Sequence, residues 1–156
     1  MLRITEVSTP SQIEQIRVIF QEYAESRGFD DALKGFDEEL ANLLGKYAAP
    51  KGALLLAKWE GKIAGCVALQ CLSPTICEMK RMYVKPKFRG NGIGRALVAH
   101  LLEMAKERSY KIMRLDTHSS MLAAHQLYAQ FGFTEIERYN ENPIKGIRFF
   151  ELLLAE

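Results

Sequence analysis

Near residue 90 the apolar period of the chain changes from two to about 3.6, across a turn built of glycine. Residues 76–84 alternate as a strand and Lys85-Pro86-Lys87 ends it. Arg89-Gly90-Asn91-Gly92-Ile93-Gly94 then opens a long helix whose core face is Ile93, Leu97, Leu101, Met104 or Ala105, and Arg108. Such a junction leaves the first helical N–H groups without backbone partners and turns the positive end of the helix dipole toward the loop. Gly90, Gly92 and Gly94 remove the side chains that would hold an anion away from those donors. Residues 79–95 also carry Lys80, Arg81, Lys85, Lys87, Arg89 and Arg95 and no acid, so the remainder of the chain is net acidic. A pyrophosphate is the natural guest. The bland alternative is a tight loop needing positive φ, with solvated cations around it.

The turn is not a P-loop, because no Gly-Lys-Ser/Thr follows, and its glycine spacing misses that of a dinucleotide fold. The strand before it is also the third of a meander rather than the first of a βαβ unit.

The rest of the chain bounds the setting. Its 156 residues fit one domain, 1–156, able to bury about 70% of its unfolded surface. Apolar residues at 48% and charged residues at 26% exclude a disordered or fibrous chain. Lys plus Arg number 21 against 19 Asp plus Glu, a net charge of +2 that gives no reason to expect nucleic acid. No apolar run approaches the roughly 18 residues of a membrane span. The N-terminus lacks the basic-then-apolar plan of a secretory leader. Cys66, Cys71 and Cys77 are odd in number and have no C-x-x-C spacing, so they read as packed, reduced thiols of a cytoplasmic protein, with no metal site.

Residues 2–7 alternate as a first strand. Thr9-Pro10-Ser11-Gln12 carries a capping box, and Ile13, Ile16, Phe20 and Tyr23 continue at helical spacing. After a break from Arg27 to Asp30, Asp37 is placed to cap a second helix bearing Leu40, Leu43 and Leu44 and stopping near Gly45. Residues 53–59 and 63–72 form a hairpin about Glu60-Gly61-Lys62, with Gly65 marking a bulge or a close approach. Beyond the long helix come a strand at 111–117, a helix capped by Ser120 and ended by Gly132, and strands at 133–139 and 147–154. The order is that of an α/β mixed sheet, about seven strands with four helices on its faces.

Two blocks carry a family resemblance. Arg89-x-x-Gly92-x-Gly94 after Tyr83-Val84-x-Pro86 resembles the acetyl-CoA-binding motif of the GCN5-related N-acetyltransferases. Ala124-His125-Gln126-Leu127-Tyr128-x-x-x-Gly132-Phe133 resembles the A-x-x-L-Y-x-x-x-G-F segment of the same superfamily, at the expected separation. One position departs: many relatives carry Asn where this chain has Met121.

The resemblance implies a GNAT-like fold and acetyl transfer from acetyl-CoA (coenzyme A) to an amine, by direct attack in a ternary complex. It places the pyrophosphate on Arg89, Gly90, Asn91, Gly92, Ile93, Gly94 and Arg95 and the pantetheine beside Met82, Tyr83 and Val84. It assigns a carbonyl-polarising backbone N–H to Met82, the acid to Tyr128 and the base to Glu78. By the period of two, Glu78 shares a strand face with Lys80, Met82 and Val84. His118 is a second base candidate, and His100 and His125 read as helix-surface residues. Asp116 and Thr117 end the strand before the Tyr128 helix. Residues 27–36 and 139–145 flank the acceptor side. The partner is an amine, small molecule or peptide. Homodimers are common in the superfamily, though no apolar stripe here demands one. The competing reading is a non-catalytic acyl-CoA-binding module.

Overall fold

The computed structural model describes residues 1–27 and 36–154. The elements run β1 (Leu2–Glu6), α1 (Pro10–Arg27), α2 (Phe36–Ala41), α3 (Leu43–Lys46), β2 (Ala53–Trp59), β3 (Lys62–Cys71) and β4 (Ile76–Val84). A 3-10 turn (Pro86–Phe88) leads to α4 (Ile93–Glu107), β5 (Ile112–His118), α5 (Leu122–Phe131), β6 (Thr134–Ile136) and β7 (Ile147–Leu153). The strands form one seven-stranded sheet in the order β1-β2-β3-β4-β5-β7-β6. Among the described residues only the β4–β5 pair is parallel.

Local chemistry sets several boundaries as expected. The capping box forms: Gln12 N–H donates to Thr9 Oγ1 at 3.2 Å, and Gln12 Oε1 accepts from the N–H groups of Thr9 (3.1 Å) and Ser8 (2.9 Å). Glu60 and Gly61 both take positive φ, the geometry of a tight two-residue hairpin turn. Gly65 is a close approach, since a Cβ there would lie 2.7 Å from the Tyr83 carbonyl oxygen. The extra residue in that hairpin is Ala64, because Ala57 pairs with Gly65 and Lys58 with Ile63.

The sheet is covered on both faces, so β2 is apolar and buried from Ala53 to Ala57 rather than alternating with polar residues. Leu55 and Ala57 join a core with Leu97, Leu101 and Ala105 of α4 and Tyr128 of α5. Leu54 and Leu56 join a second core with Ile16, Ile19 and Phe20 of α1 and with Leu40, Leu43 and Tyr47. Each fully buried Leu, Ile or Phe contributes about 1.5–3 kcal/mol by leaving water.

Several expectations need correction. Asp37 does not cap the second helix, which begins at Phe36; it sits in the first turn with Glu38 and Glu39, where acids complement the dipole. The helix breaks at Asn42, so five α-helices rather than four are present among the described residues. Ser120 does not cap α5. Its hydroxyl lies 2.7 Å from His118 Nδ1, and Met121 holds the N-cap position without a side-chain bond. The strand expected over 133–139 is only Thr134–Ile136. The expected break from Arg27 to Asp30 falls, beyond Arg27, outside the described residues.

The most consequential correction is in β4. Cys66 pairs with Tyr83 but Ala68 pairs with Lys80, so Arg81 and Met82 together stand opposite Val67. This is a bulge, with Arg81 at φ +57°. It shifts the alternation by one residue. Glu78 and Lys80 share their face with Arg81 and Tyr83, whereas Met82 and Val84 join Cys77 and Met79 against α4 and α5. The uniform period of two that grouped Glu78 with Met82 and Val84 does not hold.

Candidate active site

β4 and β5 pair only at Ile76–Ile112, Cys77–Met113 and Glu78–Arg114. Beyond Glu78 they diverge, while β4 runs on to Val84 and β5 to His118. A bulge strengthens local twist, and here it lies at the point where the sheet opens. Between the strands is a slot of about 60 Å³ bordered by Lys80, Arg81, Met82, Asp116, Thr117, Met121, Ala124 and Tyr128. It draws walls from both faces of the sheet. On the α2–α3 side lies a much larger cavity of about 1200 Å³, and Tyr23, Lys80, Arg81 and Asp116 border both spaces.

The glycine turn lies at the far end of β4. Gly90 and Gly92 have φ of +87° and +76°, and a Cβ at either would meet nothing within 4 Å. Gly92 is the N-cap of α4 and supplies no side-chain cap to the first-turn N–H groups. Gly94 lies inside the helix, and a Cβ there would meet Leu127, Val84 and Met82 at ordinary contact distances of 3.6–3.9 Å. The open turn, the uncapped helix end and the parted strands fit a long phosphorylated thioester laid along β4. The cationic side chains are only partly directed at it. Arg89 Nε donates to the Val84 carbonyl at 2.9 Å, and the Arg95 guanidinium stacks 5.5 Å over the Phe131 ring.

Tyr128 is buried at the slot, its ring edge-on to Phe133 at 5.7 Å. Glu78 is 4% exposed and borders the large cavity only. Tyr139 donates its hydroxyl to Glu78 Oε2 at 2.5 Å. Burial first, and then the adjacent Glu78 carboxylate, drives the Tyr139 phenol far above its ordinary range, so it stays protonated and holds Glu78 in place. The expected pairing of Glu78 with Lys80 exists, but at 3.8 Å it is too long for a hydrogen bond.

The sequence pattern missed much of what surrounds these residues. Asp116, to the sequence pattern a strand end, accepts from Asn140 Nδ2 at 2.6 Å and borders both spaces. Glu39, Lys46 and Arg81 meet across the cavity wall, with Lys46 Nζ 3.3 Å from Glu39 Oε1. Their meeting depends on the bulge and on the break at Asn42, neither of which has a local sequence signal. His118 borders neither cavity. His125 is not a surface residue but half-buried, tilted against Phe150 at 5.4 Å. Of the acceptor-side segments, Tyr139, Asn140, Glu141, Asn142 and Pro143 do line the large cavity, while 28–35 lie outside the described residues.

Comparison with known proteins supplies the class. The sequence model of the Acetyltransferase (GNAT) family matches residues 13–133. The chain is similar to an uncharacterized N-acetyltransferase of Schizosaccharomyces pombe, at 36% identity over 157 residues, covering 99% of this chain and 96% of that one. Among solved structures it resembles a GNAT-family acetyltransferase of Staphylococcus aureus, with a TM-score of 0.80, 23% identity and coverage of 99% and 100%. It also resembles YncA, a putative acetyltransferase of Salmonella typhimurium solved with its cofactor acetyl-CoA. That match has a TM-score of 0.72, 20% identity and coverage of 99% and 95%. The chain therefore belongs to the GNAT acetyltransferase family, and it is an enzyme, an N-acetyltransferase. Among the described residues no helix is long and apolar enough to cross a membrane.

Proposed function

We propose that this chain binds acetyl-CoA along the glycine turn and the β4–β5 slot and passes the acetyl group directly to an amine held in the large cavity. When bound, acetyl-CoA supplies an acyl group activated as a thioester, with a thiol as leaving group. The observation that carries this reading is the slot itself. It has Tyr128 and Met82 of the α4–α5 face in its wall and shares Tyr23, Lys80, Arg81 and Asp116 with the charged cavity on the other face, which supports approach of cofactor and acceptor from opposite sides of the sheet.

Backbone N–H groups across residues 89–95 bind the pyrophosphate, with the α4 dipole behind them. Met82 and Val84 line the pantetheine path, and Tyr83 contributes backbone only, because its side chain belongs to the other face. The Met82 backbone N–H, freed from regular pairing by the bulge, polarises the acyl carbonyl. The Tyr128 hydroxyl delivers a proton to the departing sulfur; a phenol of ordinary pKa near 10 is protonated at pH 7. Glu78 takes the proton from the amine, through water, while Tyr139 fixes its orientation. A second assignment of the base is favoured by one observation: Asp116 borders the slot and Glu78 does not. Residues 1–156 act as one domain in a reducing, cytoplasmic setting, a reading supported by three free cysteines.

The test is release of coenzyme A thiol from acetyl-CoA across a panel of amines. Release that requires an amine supports transfer. Calorimetric binding of acetyl-CoA with no amine-dependent release across the panel would leave a non-catalytic acyl-CoA-binding module.

A further inference from the structure

The charged side chains of the large cavity are unevenly distributed. Near β4, α2 and α3 three cations, Lys46, Lys80 and Arg81, stand with two buried acids, Glu39 and Glu78. Glu39 is committed to Arg81 through two bonds of 2.9 Å, and Lys46 shares one of its oxygens at 3.3 Å. Glu78 takes the Tyr139 hydroxyl, leaving Lys80 with no partner inside 3.8 Å among the described ion pairs and hydrogen bonds. Glu38 and Glu141 border the cavity as well but are exposed. Burial first, and then the neighbouring charge of Lys80, holds the Lys46 ammonium below its ordinary value, so the two lysines repel each other across this wall. At the slot itself Lys80 and Arg81 come from β4, and from β5 comes one acid, Asp116, which accepts from Asn140 and borders both the slot and the cavity. Arg114 also borders the cavity, but its charge is met by Glu151 at 3.2 Å and its guanidinium stacks on Tyr139.

We infer that the acceptor is an amine whose side chain bears a carboxylate, its nitrogen directed to the slot by Asp116 and that side-chain carboxylate taken between Lys46 and Lys80. This specificity rests on the transfer reading above. An anion between the two lysines relieves their repulsion and completes the donor capacity of Lys80. A polyamine or a lysine side chain brings a further cation to this wall and is disfavoured there.

The experiment compares aspartate and glutamate with asparagine, glutamine and the corresponding diamides, with spermidine as a cationic control. Two tetrapeptides beginning with Asp or Asn distinguish a free amino acid from an acidic peptide terminus. The acids should show KM values about tenfold or more below their amides, the effect of one charge-assisted hydrogen bond. Lys80→Met and Lys46→Met should each erase that gap by raising KM for the acids while the amides keep theirs. Calorimetry of aspartate and asparagine with protein saturated by coenzyme A measures the same preference without turnover. If only the peptides respond, with the same acid preference, the carboxylate belongs to a peptide. Equal treatment of acid and amide, or preference for spermidine, would overturn the inference while leaving transfer intact. Absence of transfer to every amine, with aspartate still bound better than asparagine and the preference lost in Lys80→Met, would sink the catalytic reading and keep the carboxylate site.

Discussion

Arg81 at the β4 bulge grips Glu39 of α2 with both prongs of its guanidinium, Nε to Oε2 and Nη2 to Oε1, each at 2.9 Å. The Arg81 guanidinium also stacks on the Phe36 ring at 5.5 Å and the Tyr23 ring at 5.9 Å. The bulge that opens the slot is thereby tied to the helix that walls the acceptor cavity. Glu39→Gln would strand a buried guanidinium and should cost about 3–5 kcal/mol, lowering Tm by about 10 °C. The pair also carries a pH signature. Burial alone would raise the Glu39 carboxyl, but Arg81 and then Lys46 outweigh it and hold it below its ordinary 4.5. A depressed carboxyl contributes stability that is complete above its unfolded value and is lost as pH falls through the folded one. Tm measured from pH 7 downward should therefore fall more steeply below about pH 4.5 in the wild type than in Glu39→Gln.

Gly94 is the better probe of the phosphate site than Gly92. Gly92 sits at φ +76°, where any side chain is strained, whereas Gly94 has ordinary helical φ and room for a Cβ. Gly94→Asp should keep the wild-type Tm within a few degrees while setting a negative charge beside the helix end. Acetyl-CoA affinity by calorimetry should weaken by about 10²-fold or more. Unchanged affinity would remove the pyrophosphate from this turn.

Tyr128→Phe separates chemistry from packing. The ring and its edge-on contact with Phe133 at 5.7 Å remain, and only the hydroxyl at the slot is lost. If that hydroxyl protonates the leaving thiol, kcat should fall by about 10²-fold with Tm little changed. A drop in Tm with kcat intact would make Tyr128 a core residue only.

Glu78→Gln and Asp116→Asn decide the base. The true base variant should lose about 10²-fold in kcat/KM at neutral pH and recover part of it as pH rises, because more free amine arrives deprotonated. Asp116→Asn, if Asp116 only steers the ammonium, should instead raise KM with kcat nearly unchanged. The reverse pattern would move the proton-accepting role from Glu78 to Asp116.

Thiol labelling should distinguish the cysteines. Cys66 is fully buried, and burial pushes the Cys77 thiol up to about 12, so neither supplies thiolate near neutrality. Cys71 is half-buried. A thiol reagent on the native protein should modify at most one site, and all three after denaturation. Rapid labelling of Cys66 or Cys77 in the native state would contradict their burial.

Much of this protein was determined locally, where neighbouring residues are enough to decide a conformation. The capping box at Thr9 and Gln12, the left-handed Glu60–Gly61 turn, the glycine junction before α4 and the Gly132 stop all depend on contacts within a few residues. The two blocks containing Gly92–Gly94 and Tyr128 were likewise legible, since each is a short string with its own spacing. What only the tertiary structure decided was which side chains share a space. The bulge at Arg81 has no composition of its own; it follows from the register of β4 against β3, and it moved Met82 and Val84 to the face opposite Glu78. The Tyr139–Glu78 bond joins residues 61 apart in sequence, and Arg81–Glu39 joins residues 42 apart. Pairings of that range are set by sheet order and helix packing, because each partner meets the other only after the whole sheet is assembled, and no short stretch of sequence records them.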